Sequence, residues 1–91
     1  MIVDVRNPPE LQQGHIENVT HVPLIEINKR SQEGTLEEKF PKDKPFYLHC
    51  KTGARSMMAC SILKKHGYTN MVNINGGYEA IIKDGKNLKF T

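Results

Sequence analysis

The 91-residue chain has no tryptophan and only two cysteines, Cys50 and Cys60. Two thiols cannot staple a small domain, so a disulfide-built fold is excluded and a reduced, cytoplasmic setting is expected. No apolar run is long enough to cross a bilayer, and the first residues lack the charged-then-apolar layout of a secretory signal. Basic residues never occur in runs longer than two, and the net charge is only +3. Neither nucleic acid nor a membrane surface is therefore expected as a partner. The four histidines show no ligand-like spacing, so no metal site is expected. Internal repeats and low-complexity stretches are also absent.

What remains is an ordinary globular composition, 37% hydrophobic and 25% charged. A chain of this length supports one domain, residues 1–91, with a single modest core. Ile2 to Val5 is a short β-branched run of the kind that forms a buried parallel strand. Asn7-Pro8-Pro9-Glu10 reads as the capped opening of a short helix that Gly14 ends. Val19 to Leu24 gives a second strand, stopped at Pro23. The sparse apolar positions between Ile25 and Phe40, interrupted by Gly34, predict one or two short helices. Pro41 to Pro45 is a surface turn. Phe46 to His49 forms the third strand, and Met71 to Ile74 the fourth.

The strongest helical spacing runs from Ser56 to His66, with Gly67 where a left-handed cap is expected. Asn75-Gly76-Gly77 is a turn, and Tyr78 to Ile82 a last short helix. Strands alternating with helices call for a parallel sheet covered on both faces. Leu88-Lys89-Phe90 alternates weakly and could add an edge strand.

The most informative segment is Leu48-His49-Cys50-Lys51-Thr52-Gly53-Ala54-Arg55-Ser56. An apolar strand ends on Cys50, a short loop with Gly53 and two cations follows, and a helix opens. A thiol between a strand end and a helix N-terminus sits where backbone N–H groups converge and the helix dipole is positive. Such surroundings favour the thiolate, and the same N–H groups can hold an anion beside it. Cysteine-based covalent chemistry on a small anionic or sulfur-bearing substrate follows as the expectation.

This loop resembles the active-site loop of the rhodanese (sulfurtransferase) family, and so do four other segments in the same order. Ile2-Val3-Asp4-Val5-Arg6 is similar to the family's strand ending in Asp-x-Arg. Glu10-Leu11 with Gly14-His15-Ile16, then His21-Val22-Pro23-Leu24, and finally Asn73-Ile74-Asn75-Gly76-Gly77-Tyr78 match further landmarks. The resemblance implies a rhodanese-like α/β fold, a parallel sheet of four to five strands flanked by helices on both faces. Family members usually carry another strand and helix ahead of Ile2. The chain is thus expected to be either a domain cut from a longer protein or a reduced form of the fold, with one sheet edge and part of one face to be covered. Asn18-Val19 replaces the usual small Gly-Ala pair, and the tryptophan often found after the Gly-Gly turn is missing. Both departures concern packing.

The resemblance implies sulfur transfer without a cofactor. Cys50 would take the sulfane sulfur of thiosulfate or a low-molecular-weight persulfide, then pass it to cyanide, a thiol or a protein cysteine. Backbone N–H groups of residues 51 to 55 would cradle the charge, with Arg55 offering a planar fork to an oxyanion and Lys51 a general pull on anions. Thr52 and Ala54 keep the loop narrow around Gly53, and Thr52 could offer its hydroxyl. Ser56 is expected as a helix-start residue, and Asp4 and Arg6 as a buried ion pair supporting the loop. Glu10 and His15 belong to the same fold-organising polar network. Strand alternation sends His49 to the face opposite Cys50, and Cys60 is read as a small core residue.

Two other functions are weighed. Cysteine phosphatases place arginine six positions after the cysteine, whereas here it is five after. The shorter loop suits a sulfur atom better than a phosphoryl group, and no aspartate is placed as general acid. The alternative from a different class is a non-enzymatic or weakly active sulfur-relay module of a larger sulfur-metabolism protein. Persulfide dioxygenases of the metallo-β-lactamase type and disulfide reductases are the hosts the resemblance suggests.

Overall fold

A computed structural model describes residues 1–84 and 90–91. In chain order it contains β1 (Ile2–Asp4), α1 (Pro8–Gln12), β2 (Thr20–His21), α2 (Leu24–Glu33), a 3-10 turn (Leu36–Glu38), β3 (Phe46–His49), α3 (Ala54–Lys65), β4 (Met71–Asn73) and α4 (Gly77–Asp84). The strands form one parallel sheet in the order β2-β1-β3-β4. Four strands with four helices fulfil the expected architecture.

β2 is shorter than the apolar run predicts, for a local reason. The pairing continues beyond it, since the Val22 N–H donates to Asp4 O and the Leu24 N–H to Val5 O. Pro23 between them has no N–H to give, and Leu24 already opens α2. The predicted helical stretch from Ile25 resolves into α2 and the 3-10 turn, separated by Gly34 in the left-handed region at φ 74°.

In-register pairing places Val3 beside Leu48 and Asp4 beside His49. Val3, Val5, Phe46, Leu48 and Cys50 therefore share one face. They meet Ile27 of α2 and Ala59 and Leu63 of α3 in the main core. At the amino end of β3, away from the Cys50 loop, Phe40, Phe46 and Tyr68 pack ring against ring, and the Tyr68 hydroxyl donates to Phe40 O at 3.0 Å.

The other face is part polar and less covered. His49 is fully buried there, stacked on Tyr78 of α4. Tyr47 and Val72, register partners, stay 43% and 47% exposed. Residues 85–89 lie outside the described residues, and with them most of the expected tail strand. Phe90 forms one antiparallel bridge with Ile16, and Thr91 exchanges backbone hydrogen bonds with His15.

Candidate active site

β3 ends at His49, so Cys50 leaves the sheet at its carboxyl edge, where open α/β sheets take ligands. Gly53 adopts φ 114°, a conformation that side-chain-bearing residues rarely adopt, and turns the chain directly into α3. The Met57 N–H donates to Gly53 O as the first helical bond. The helix thus begins at Ala54, two residues before the position expected from side-chain spacing. Ser56 is therefore not a helix-start residue. It lies in the first turn, fully buried, with its hydroxyl turned back to Gly53 O, Asn73 Oδ1 and the Cys50 sulfur.

Cys50 is only 1% exposed, at the floor of this loop. Burial opposes ionisation, yet the thiol is pushed below its usual range. The Ser56 N–H and hydroxyl, the Gly53 N–H and the Thr52 N–H together outweigh desolvation. The Gly53 N–H reaches Sγ at 3.0 Å and the Ser56 hydroxyl at 3.7 Å. Of the residues expected to cradle the charge, Thr52 and Gly53 contribute N–H groups, and Ser56 joins them from outside the expected set. Lys51, Thr52 and Ala54 have exposed side chains, and Gly53 is buried.

The N-terminus of α4 holds the loop from below. The Tyr78 N–H donates to Cys50 O at 2.7 Å and the Glu79 N–H to Lys51 O. A Cβ on Gly77 would lie 2.5 Å from Cys50 O and 2.6 Å from Lys51 O. Only glycine allows this approach, because backbone on both sides leaves nothing to move aside. The Gly-Gly pair reads from sequence as a turn; a close contact between backbones is a second role that glycine signals.

Asp4 and Arg6 form the expected buried pair. Arg6 Nη2 and Nε donate to Asp4 Oδ2 and Oδ1 at 2.8 and 3.0 Å, and Nη2 also reaches Gly14 O. The guanidinium lies 4.1 Å from the Tyr78 ring centroid. Removing one partner of such a pair costs roughly 3–5 kcal/mol, since it strands a buried charge. His49 stands on this side, as alternation requires, with Nε2 3.6 Å from Asp4 Oδ2. Burial pushes its pKa down, partly offset by Asp4 and the Cys50 carbonyl.

Arg55 has a partner that its sequence context does not reveal. Its Nη1 and Nη2 donate to Glu10 Oε1 and Oε2 at 2.6 and 2.9 Å, across 45 positions of sequence. His15 bonds instead to Leu11 O and Thr91, so the two expected members of one network serve different contacts. Asn73 likewise gives no signal in the sequence: it lies on β4, and only the sheet order brings it to Ser56, whose hydroxyl donates to its Oδ1. Cys60 sits half-buried against the core, its thiol pushed up by burial alone. Among the described residues, no cluster of three or more His, Cys, Asp or Glu is placed to hold a metal. Nor is any helix there long and apolar enough to cross a membrane.

The arrangement suits a buried, stabilised thiolate on a backbone-lined loop. The model of the Rhodanese-like domain family matches residues 1–84. The chain belongs to the rhodanese-like domain family. A sulfurtransferase of Allochromatium vinosum is 35% identical over 85 residues, covering 93% of this chain and 74% of the relative. A putative sulfur carrier protein of Bacillus subtilis, YrkF, is 36% identical over 76 residues, and the match spans 84% of this chain but only 38% of that one. A rhodanese-related protein of Thermoplasma volcanium superposes with a TM-score of 0.78 at 29% identity, covering 98% of this chain and 82% of the other. This rhodanese-like domain thus has relatives named as sulfurtransferases, and one named as a putative sulfur carrier of which the match spans little more than a third.

Proposed function

We propose that this domain transfers sulfane sulfur through a persulfide on Cys50. The observation that carries the reading is the convergence of N–H groups and the Ser56 hydroxyl on a buried Sγ. The thiolate attacks the outer sulfur of thiosulfate or a low-molecular-weight persulfide. The donor's S–S bond breaks, its electron pair leaves with sulfite or a thiolate, and Cys50 retains the sulfur. A nucleophile such as cyanide or a thiol then attacks that outer sulfur and restores the thiolate. No net oxidant or reductant is consumed. Charge builds on the persulfide and on the leaving group, next to the same N–H donors. One such donor is worth roughly 3–4 kcal/mol of barrier in other enzymes.

Phosphoryl transfer is less well served. The loop is one residue shorter than that of cysteine phosphatases, and the Arg55 fork is already occupied by Glu10. A relay role within a larger assembly has its own support in the sulfur-carrier name of YrkF. Ile25, Met57 and Met58 are 78%, 62% and 58% exposed. Ile25 and Met58 line a groove with Arg55, beside the loop. The test is thiocyanate formation from cyanide with either donor. The native protein should turn over, and Cys50→Ala should not; activity surviving in Cys50→Ala would overturn the assignment.

A further inference from the structure

Asn73 is a polar residue on the sheet face that β1 and β3 fill with apolar side chains. It is the register partner of Leu48, and Met71, two residues earlier, packs against the core. Alternation therefore turns the Asn73 amide to the side of Leu48 and Cys50, at the carboxyl end of β4. There its Oδ1 meets the hydroxyl of fully buried Ser56. Ser56 Oγ carries one hydrogen and has three acceptors around it. Asn73 Oδ1 is nearest, Gly53 O lies at 3.1 Å and Cys50 Sγ at 3.7 Å. One hydrogen cannot serve the amide and the sulfur at once. A neutral sulfur is a weak acceptor and loses this competition, whereas a thiolate is a strong one.

We propose that Asn73 is a positioning residue, holding the Ser56 hydroxyl hydrogen while Sγ is neutral and yielding it when Sγ carries charge. Its part in turnover rests on the sulfur-transfer reading of Cys50. A bond made in the neutral form and broken in the charged form opposes ionisation. Asn73 thus restrains the acidity that the loop N–H groups confer, and a less acidic thiol gives a stronger nucleophile. As Sγ bonds the outer sulfur of thiosulfate, sulfite leaves with the electron pair of the broken S–S bond. Sγ becomes a neutral bridging atom, the new outer sulfur carries the charge, and the hydroxyl hydrogen returns to Asn73. The charged groups near the sulfur stand apart from this switch. Arg55 of α3 feels the thiolate and is tied to Glu10 of α1. Lys51 of the loop and Glu79 of α4 have exposed side chains, and Asp4, Arg6 and His49 cluster on the opposite face of the sheet. Among the described residues none of these side chains bonds to Ser56 or Asn73, so exchanging the amide leaves them in place.

The test is the pH dependence of iodoacetamide alkylation at Cys50, read by peptide mapping, in native protein, Asn73→Leu, Ser56→Ala and the double variant. Leucine has nearly the shape of asparagine and no acceptor. Asn73→Leu should shift the Cys50 profile to lower pH by about one unit. It should also lower kcat/KM for thiosulfate roughly threefold on the alkaline plateau, where every thiol is ionised. In the Ser56→Ala background the same exchange should move neither. A merely structural role would reduce activity without making the thiol more acidic, and would persist once the hydroxyl is gone. Asn73→Ala, expected to act in the same direction, stands beside these in case leucine is not tolerated on the edge strand. An unmoved profile, or an equal shift with and without the hydroxyl, would overturn the role of Asn73. A shift to higher pH would overturn it too, since the amide would then donate to the hydroxyl and steer its hydrogen to the sulfur. Absence of thiocyanate from native protein with either donor, beside the expected alkylation shift, would remove the sulfur-transfer reading and leave Asn73 in control of the thiol.

Discussion

Cys50 and Cys60 stand ten residues apart, one at the start of the loop and one midway along α3, both withdrawn from water, and their thiols are pushed in opposite directions. Cys60 shows what burial does alone: it raises the pKa. Cys50 is the more buried by surface exposure, yet it ends lowered, because N–H groups of Thr52, Gly53 and Ser56 and one hydroxyl converge on its sulfur. The lowered pKa of Cys50 comes from donors arranged largely by the backbone, acting against burial. The side chains that look most catalytic in the sequence, Arg55 and Lys51, contribute no hydrogen bond to the sulfur among the described residues.

The contrast can be broken most completely by substitution of each thiol. Cys50→Ala should abolish thiocyanate formation with the fold kept, while Cys60→Ala should retain most activity. Next in size is Gly77→Ala, whose methyl group would collide with the backbone of Cys50 and Lys51. Displacing the loop by about an ångström should cost on the order of a hundredfold in kcat. It should also move the pH dependence of Cys50 alkylation upward towards that of Cys60.

Ser56→Ala removes one hydroxyl donor and keeps the N–H. Hydrogen bonds to charged groups are worth roughly 1.5–3 kcal/mol, so a loss of roughly ten- to a hundredfold in kcat/KM is expected, nearer the lower figure for this long contact. Cys50 alkylation should shift to higher pH, and Cys60 should not respond. An unchanged Cys50 profile would mean that the hydroxyl belongs to Asn73 and Gly53 alone.

The smallest effect concerns stability. The folded Glu10 carboxyl titrates at about 2 against an ordinary 4.5, chiefly through its hydrogen bonds with Arg55. Stability from this depressed group is fully present above pH 4.5 and is lost as the pH falls towards 2. Being partly exposed, the pair should contribute less than about 1 kcal/mol. Denaturant unfolding of Glu10→Gln should therefore show a slightly flatter decline than native protein across that window. Equal slopes would show that the pair adds nothing to folding.

Much of this was readable from local pattern. β3 ends at the expected residue, Gly67 takes the left-handed conformation expected after α3, and alternation places His49 opposite Cys50. The loop stood out because glycine, cations and a strand-to-helix change fall within a few residues. Less legible was whatever depends on the sheet order β2-β1-β3-β4. Glu10 meets Arg55, and Asn73 meets Ser56, only after distant elements converge. No periodicity records such pairs. Ser56 was misplaced because Gly53, not the side-chain spacing, decides where α3 begins.

The most direct test is intact-mass spectrometry of native protein and Cys50→Ala after exposure to glutathione persulfide, followed by peptide mapping. A gain of one sulfur atom, mapped to Cys50, reversed by cyanide and absent from Cys50→Ala, is the expected result. A sulfur adduct on Cys60 in its place, or no adduct on Cys50 with either this donor or thiosulfate, would contradict a loop built to hold a persulfide.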